Sequence, residues 1–273
     1  MRSLVLPVIL GVLFIGCVKE IDIDLNDSDP RIVIEGEVGE GTGPHTVRVT
    51  RTVNFDVPND FPAVSSATVL LTDDLGNSAT LTEVEAGVYQ TSTLDGQQGH
   101  RYHLSVLAEG VSYEAVSDMP VLVPLDSIAF EESSGFGGGG GPGGGPGGGG
   151  SAEPTYTPVA YFSDPSDRTN FYRLITYVNG VREDGSFVRD DRLTNGVQVS
   201  VRLTGISVEA GELVRVELQC IDEAVHRYFE TIANTGGGPA GSDAPANPVS
   251  NIGNGALGYF SARSVSVLDR LVP

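Results

Sequence analysis

From Pro30 to Asp118 the sequence alternates, and that alternation limits the fold more than any other feature. In RIVIEGEV, Ile32, Ile34 and Val38 share one side. In HTVRVTRTV, Val47 and Val49 oppose Arg48 and Thr50. A period of two sends successive side chains to opposite faces of a strand, so each run has one face that needs cover. ATVLLTDD and SATLTEV flank DLGN, whose Asp, Gly and Asn read as a hairpin turn. GVYQTS, HRYHLSVLAEG and VSYEAVSD continue the series. About seven strands and no convincing helix in this stretch predict sheet packed on sheet, an Ig-like β-sandwich over residues 30–120. Pro120 and Pro124 in MPVLVPLD then break the rhythm and mark a domain boundary.

A second β-rich domain is expected over residues 121–273. TNFYRLITYVNG, NGVQVSVRLTG and GELVRVELQCID read as strands, and ALGYFSARSVSVL as one closing strand. Between them DEAVHRYFETIANT, residues 222–235, carries Ala224, Val225, Tyr228, Phe229 and Ile232 at helical spacing, which predicts one embedded helix. Residues 135–150 hold 13 glycines in 16 positions. Such a run is expected to be disordered from its composition. It reads either as an interdomain linker or, the better choice, as the tip of a hairpin pairing DSIAFEE with TYTPVAYFSD. Lengthening a loop costs only logarithmically, so an expansion there is cheap. No Lys-Ser/Thr follows the glycines, so they are not a phosphate cradle.

The amino-terminal end sets the compartment. Residues 1–16 read as a signal peptide, with Arg2 ahead of the apolar run Leu4–Ile15. As a helix that run reaches about 18 Å, too short to span a bilayer. Gly16 precedes Cys17 as lipoprotein processing requires, with Phe14 standing where a leucine is usual and Leu13 one place upstream. Cys17 is therefore expected to carry lipid, and two or three acyl chains hold a protein almost indefinitely. Residues 17–29 form an acidic tether behind it. Lys19, Glu20, Asp22 and Asp24 fit either export to the outer leaflet, the favoured reading, or an ordinary acidic linker. With Cys17 acylated, Cys220 is the only thiol left, so no disulfide framework supports the fold. The formal net charge of −20 would become one unit more negative on removal of Arg2 with the leader. Such a surface repels phosphate backbones and excludes nucleic-acid binding as a reading.

Chemistry-bearing residues are plentiful but poorly arranged. His100 and His103 point to opposite faces of a strand. His226 and Glu230 lie four apart on the expected helix, without the second histidine of a zinc-protease motif, and read as a solvated face. The oxygen-rich turns Asp73, Asp74, Asn77 and Asp164, Asp167, Asn170 lack calcium-loop spacing, and Asp and Asn favour turns for their own reasons. Cys220 ends an apolar strand as a packing thiol, and no G-x-S-x-G elbow occurs. Tyr156, Tyr161, Phe162, Phe171, Tyr172, Tyr177, Tyr259 and Phe260 are expected in the second domain, mostly as core, with a stacking platform as the rarer alternative. No catalytic residue, metal ligand or cofactor is assigned. Cys17, as a lipidation site, is the single functional residue.

RIVIEGEV, HTVRVTRTVNF, ATVLLTDDLGN, GVYQTS, HRYHLSVLAEGVSYEA, PLDSIAF, TNFYRL and NPVSNIGNGALGYFSA together resemble a Bacteroidota lipoprotein family known as a domain of unknown function. Genes of that family often lie beside those of TonB-dependent outer-membrane receptors. The resemblance spans about Pro30 to Val267, NPVSNIGNGALGYF is its most specific part, and the glycine run departs from it. It implies a surface-exposed, lipid-anchored outer-membrane protein, non-enzymatic, accompanying a receptor barrel. The alternatives are a structural or assembly protein of the cell envelope, and a hydrolase whose acids converge in space.

Overall fold

The alternating runs become strands almost residue for residue. A computed structural model describes residues 29–53, 61–133, 154–185, 187–235 and 247–273. The leader, Cys17 with most of its tether, and the glycine run lie outside these residues.

β1 (Ile32–Val38) pairs antiparallel with β2 (His45–Arg51), with Ile34 opposite Val49. β3 (Thr68–Asp73) turns into β4 (Ser78–Thr80), as DLGN predicts. The run SATLTEV, expected as one strand, divides at Leu81. β4 stays with β3, while β5 (Thr82–Glu85) joins β6 (Val88–Thr91) in the other sheet. Leu81 is buried and its N–H donates to Val69 O at 2.9 Å, so this corner carries the chain between sheets. β7 (Arg101–Ala108) and β8 (Val111–Asp118) complete the expected series. Ile34, Val47 and Val49 from one sheet meet Val69, Leu71, Leu104 and Val106 from the other. This is the sandwich expected from the alternation.

β9 (Leu125–Ser133) and β10 (Thr155–Ser163) pair antiparallel from Ser133↔Thr155 to Leu125↔Phe162. The glycine run therefore joins the adjacent ends of two paired strands, the hairpin arrangement, and is not an interdomain linker. β11 (Phe171–Val178) follows, then the short β12 (Val181–Arg182) and β13 (Phe187–Asp190) along its edge. β14 (Gln198–Arg202) and β15 (Val208–Glu209) pair with β10, and β16 (Leu213–Ile221) with β11. β12, β13 and β15 have no counterpart in the sequence reading, because two to four residues cannot establish a period. Phe162, Val199 and Val201 face Leu174, Val214, Val216 and Leu218 across a second core.

The predicted helix is α1 (Glu223–Thr235). Val225, Tyr228 and Phe229 are buried, whereas Ile232 stays exposed. The chain then returns. ALGYFSARSVSVL, read as one closing strand, is two: β17 (Leu257–Ala262) lies parallel to β1, and β18 (Ser264–Leu271) antiparallel to β16. Arg263 alone separates them. Periodicity cannot show this, since one alternating run serves two sheets equally well. Its consequence is topological. The first core ends near Met119 and the second begins at Val123, as the prolines suggest, yet Ile252, Ala256, Phe260 and Ala262 belong to the first. The resulting sheets run β5-β6-β2-β1-β17 and β4-β3-β7-β8 in one sandwich. In the other, β9 and β14/β15 flank β10 on opposite sides of its sheet, facing a sheet in which β11, β16 and β18 follow in order. No helix among the described residues is long and apolar enough to cross a membrane.

Candidate functional site at the junction

Besides the passage from Met119 to Val123, three groups of contacts among the described residues tie the sandwiches together. The first is the covalent crossing at Arg263. Its guanidinium donates to Glu37 of β1 at 2.8 Å, and its N–H donates to Val38 O at 2.9 Å. Tyr259 of β17 donates its hydroxyl to the same carboxylate at 2.9 Å. Burial alone would raise the Glu37 pKa, but the Arg263 charge and these hydrogen bonds outweigh it and hold the carboxyl below its ordinary range.

The second connection is aromatic. Tyr259 packs on Tyr228 and Phe229 of α1, with ring centroids 5.1 and 4.8 Å apart. Arg173 of β11 lies over the Phe229 ring at 3.7 Å, a cation–π stack removed from water. Burial lowers the Arg173 pKa and pushes the Tyr228 hydroxyl up to about 12.

The third is the start of α1. Asp222 caps the helix by accepting from Val225 N–H at 2.9 Å. Its other oxygen accepts from the Ser117 hydroxyl and from Asp118 N–H at 3.2 Å, both on β8. Ser117 Oγ in turn accepts from Ala262 N–H at 2.8 Å, where β17 ends. One carboxylate thus joins the helix cap to both sheets of the first sandwich. Burial raises its pKa, although all three hydrogen bonds oppose the rise. Beside it a hollow of about 370 Å³ opens between Met119, Pro120 and Val121 on one side and Phe171 and Ile221 on the other.

The candidates read from the sequence resolve mainly into structure. Asp73 is buried and accepts from Leu75 N–H, Asn77 N–H and Asn77 Nδ2, so it builds the hairpin turn. His100 meets Asp74 at 2.8 Å, away from His103. Asp164 accepts from the Tyr172 hydroxyl and Gly196 N–H. Asn170 donates its N–H to buried Asp191 at 2.6 Å, while Asp167 stays outside. Cys220 is buried, accepts from Val123 N–H at 3.3 Å, and has its thiol pKa raised by burial. That is the packing role expected.

His226 differs from expectation. It is 6 % exposed and packs on Phe171 at 5.2 Å, so it belongs to the helix's inner face. Burial keeps its imidazole below the usual pKa. Glu230 points outward, and no cluster of metal-ligating side chains occurs among the described residues. The eight aromatics are all buried or half-buried, none forming an open platform, and Phe260 fills the first core, not the second. The junction set of Glu37, Ser117, Arg173, Asp222 and Arg263 was missed. Its members lie more than 200 residues apart at the extreme, and each alone is an unremarkable polar residue.

Comparison with curated proteins finds no match. Among solved structures, a two fibronectin type-III domain segment of chicken tenascin is similar at 12 % identity, over 71 % of this chain and 92 % of that one. Its TM-score is 0.23, too low to carry an argument, so the fold rests on the strand pairing itself. A family model described as a domain of unknown function, DUF4249, matches residues 18–268, and the chain belongs to that family.

Proposed function

We propose that this protein is a non-enzymatic, surface-exposed lipoprotein, held to the outer membrane through Cys17, that serves as an accessory or ligand-binding subunit of a TonB-dependent receptor system. The observation carrying this reading is the fate of the buried and half-buried acids. Asp73, Asp164 and Asp191 close loops, Glu37 pairs with Arg263, and Asp222 caps a helix. General acid–base chemistry needs a carboxyl poised over a space a substrate can enter. All five are engaged by neighbours that hold the fold together; Asp222 does border the hollow, but both its oxygens already accept hydrogen bonds, from Val225 on one side and from Ser117 and Asp118 on the other. A pair of sandwiches tied together at their junction is suited to presenting loops and strand edges to a partner. The dozen residues before Asp29 supply reach, up to about 40 Å if extended.

The test is a detergent pull-down through a carboxy-terminal tag, with mass spectrometry of the mature protein and of its companions. The reading expects an acylated Cys17 at the new amino terminus and a receptor barrel among the companions. Other envelope proteins without a barrel would favour an assembly role instead. An unlipidated protein that stays soluble when cells are broken would end both readings.

A further inference from the structure

Sheet edges are templates for unwanted pairing, and proteins blunt them with short strands, bulges or cover. The first sandwich follows that rule throughout. β4 has three residues, and β5 has four with a register shift against β6. The β8 edge is sealed by the segment before β17: Gly253 N–H donates to Glu114 O at 2.8 Å, and Asn254 Nδ2 to Ser112 O at 2.5 Å. β17 is closed by Asn251, whose amide bonds Phe260 N–H and Phe260 O at 2.9 and 2.7 Å.

The second sandwich breaks the rule on one side only. There β9, with nine residues, and β18, with eight, are edge strands of opposite sheets. They touch where Leu125 N–H donates to Ser266 Oγ at 2.9 Å. Beyond that bond a groove of about 220 Å³ runs between Asp126, Ser127 and Ile128 and Leu268, Asp269 and Arg270. Among the described residues no other hydrogen bond covers the outer edge of β9. We propose that this edge receives an extended, basic strand from a partner protein, which pairs with β9 while β18 forms the far wall of the groove.

Charge selects the occupant. β9 presents Asp126, Glu131 and Glu132 in a chain of net charge −20. Arg202 holds Glu131 at 3.2 Å, and Arg215 holds Asp269 at 2.7 Å, leaving Glu132 and Asp126 turned to solvent, the latter accepting from Ser163 alone among the described residues. Pairing β9 with a second copy of itself would set acid against acid, which is destabilising across strands. Lysine or arginine on the incoming strand reverses that sign. The proposal goes beyond the reading above and needs neither the anchor nor the receptor.

The full chain, in detergent, is mixed with a blocked nine-residue peptide of alternating Lys and Val, and amide hydrogen exchange is followed. Slowed exchange over Asp126–Glu132 is expected, with no change in β5. Glu132→Lys, an exposed substitution, should weaken binding about fivefold, the effect of roughly 1 kcal/mol. Absence of protection, protection elsewhere, equal binding of a Glu–Val peptide, or pairing of two copies through β9 would each overturn the proposal.

Discussion

Two glycines show how close the strands of the first sandwich come. Gly258 has φ of +95°, and a Cβ there would lie 2.8 Å from Ile34 C and 3.0 Å from Ile34 N. That backbone cannot withdraw without breaking the parallel pairing of β1 with β17. Gly36 faces the core, where a Cβ would meet Phe260 Cδ2 at 2.9 Å. Gly36→Ala meets a side chain that can shift, and should lose about 1–3 kcal/mol in urea denaturation. Gly258→Ala meets backbone at a left-handed residue and should lose more, with β17 the first strand to exchange its amides. Glu37 makes a separate prediction. Its folded pKa lies below its ordinary 4.5, so its pairing contributes in full above that pH and is lost as pH falls through the depressed value. Glu37→Gln should therefore destabilise by about 1–3 kcal/mol at neutral pH and flatten the fall in stability that the native protein shows below its ordinary carboxyl range. A parallel downward shift of the whole curve would contradict the pairing role.

At the scale of elements, the segment Asn251–Gly255 is the least strand-like part of the first sandwich and the one that closes it. Asn251 stands in for a neighbouring strand by giving Phe260 both a donor and an acceptor. Asn251→Ala would orphan two backbone groups beside the buried Phe260 side chain, at about 1–3 kcal/mol each. Loss of more than about 2 kcal/mol in a denaturant titration is the expected result, and a neutral substitution would mean that water replaces the amide. The helix and the long strands were readable because a period of 3.6 or 2 survives over eight or more residues, as in Glu223–Thr235 or Arg101–Ala108. The hairpin around the glycines was readable for the same reason, from its flanks. The seal at Asn251, the corner at Leu81 and the crossing at Arg263 were not. Each depends on which strand lies alongside, and a single sequence holds no record of its neighbours.

The whole molecule behaves as one body wherever the chain returns to what it has left. A reader of the sequence would cut at Pro120 and expect residues 30–120 to stand alone. That fragment lacks β17, and with it Phe260 and Ala262 from the core, a partner of β1, and the Gly253–Asn254 seal on β8. Its exposed β1 edge would be seven residues long and largely apolar on one face, the kind of edge that pairs with other chains. Removing a Phe from a core typically costs about 3–5 kcal/mol, a large share of the stability of a domain this size. The fragment should therefore aggregate or give poorly dispersed amide spectra, while a chain carrying both sandwiches unfolds in a single transition. A fragment 30–120 that is monomeric and cooperatively folded would show that the return strand is an appendage. In that case the crossing at Arg263 would serve to orient two independent sandwiches, and the Glu37→Gln defect should then leave the melting of each one unchanged.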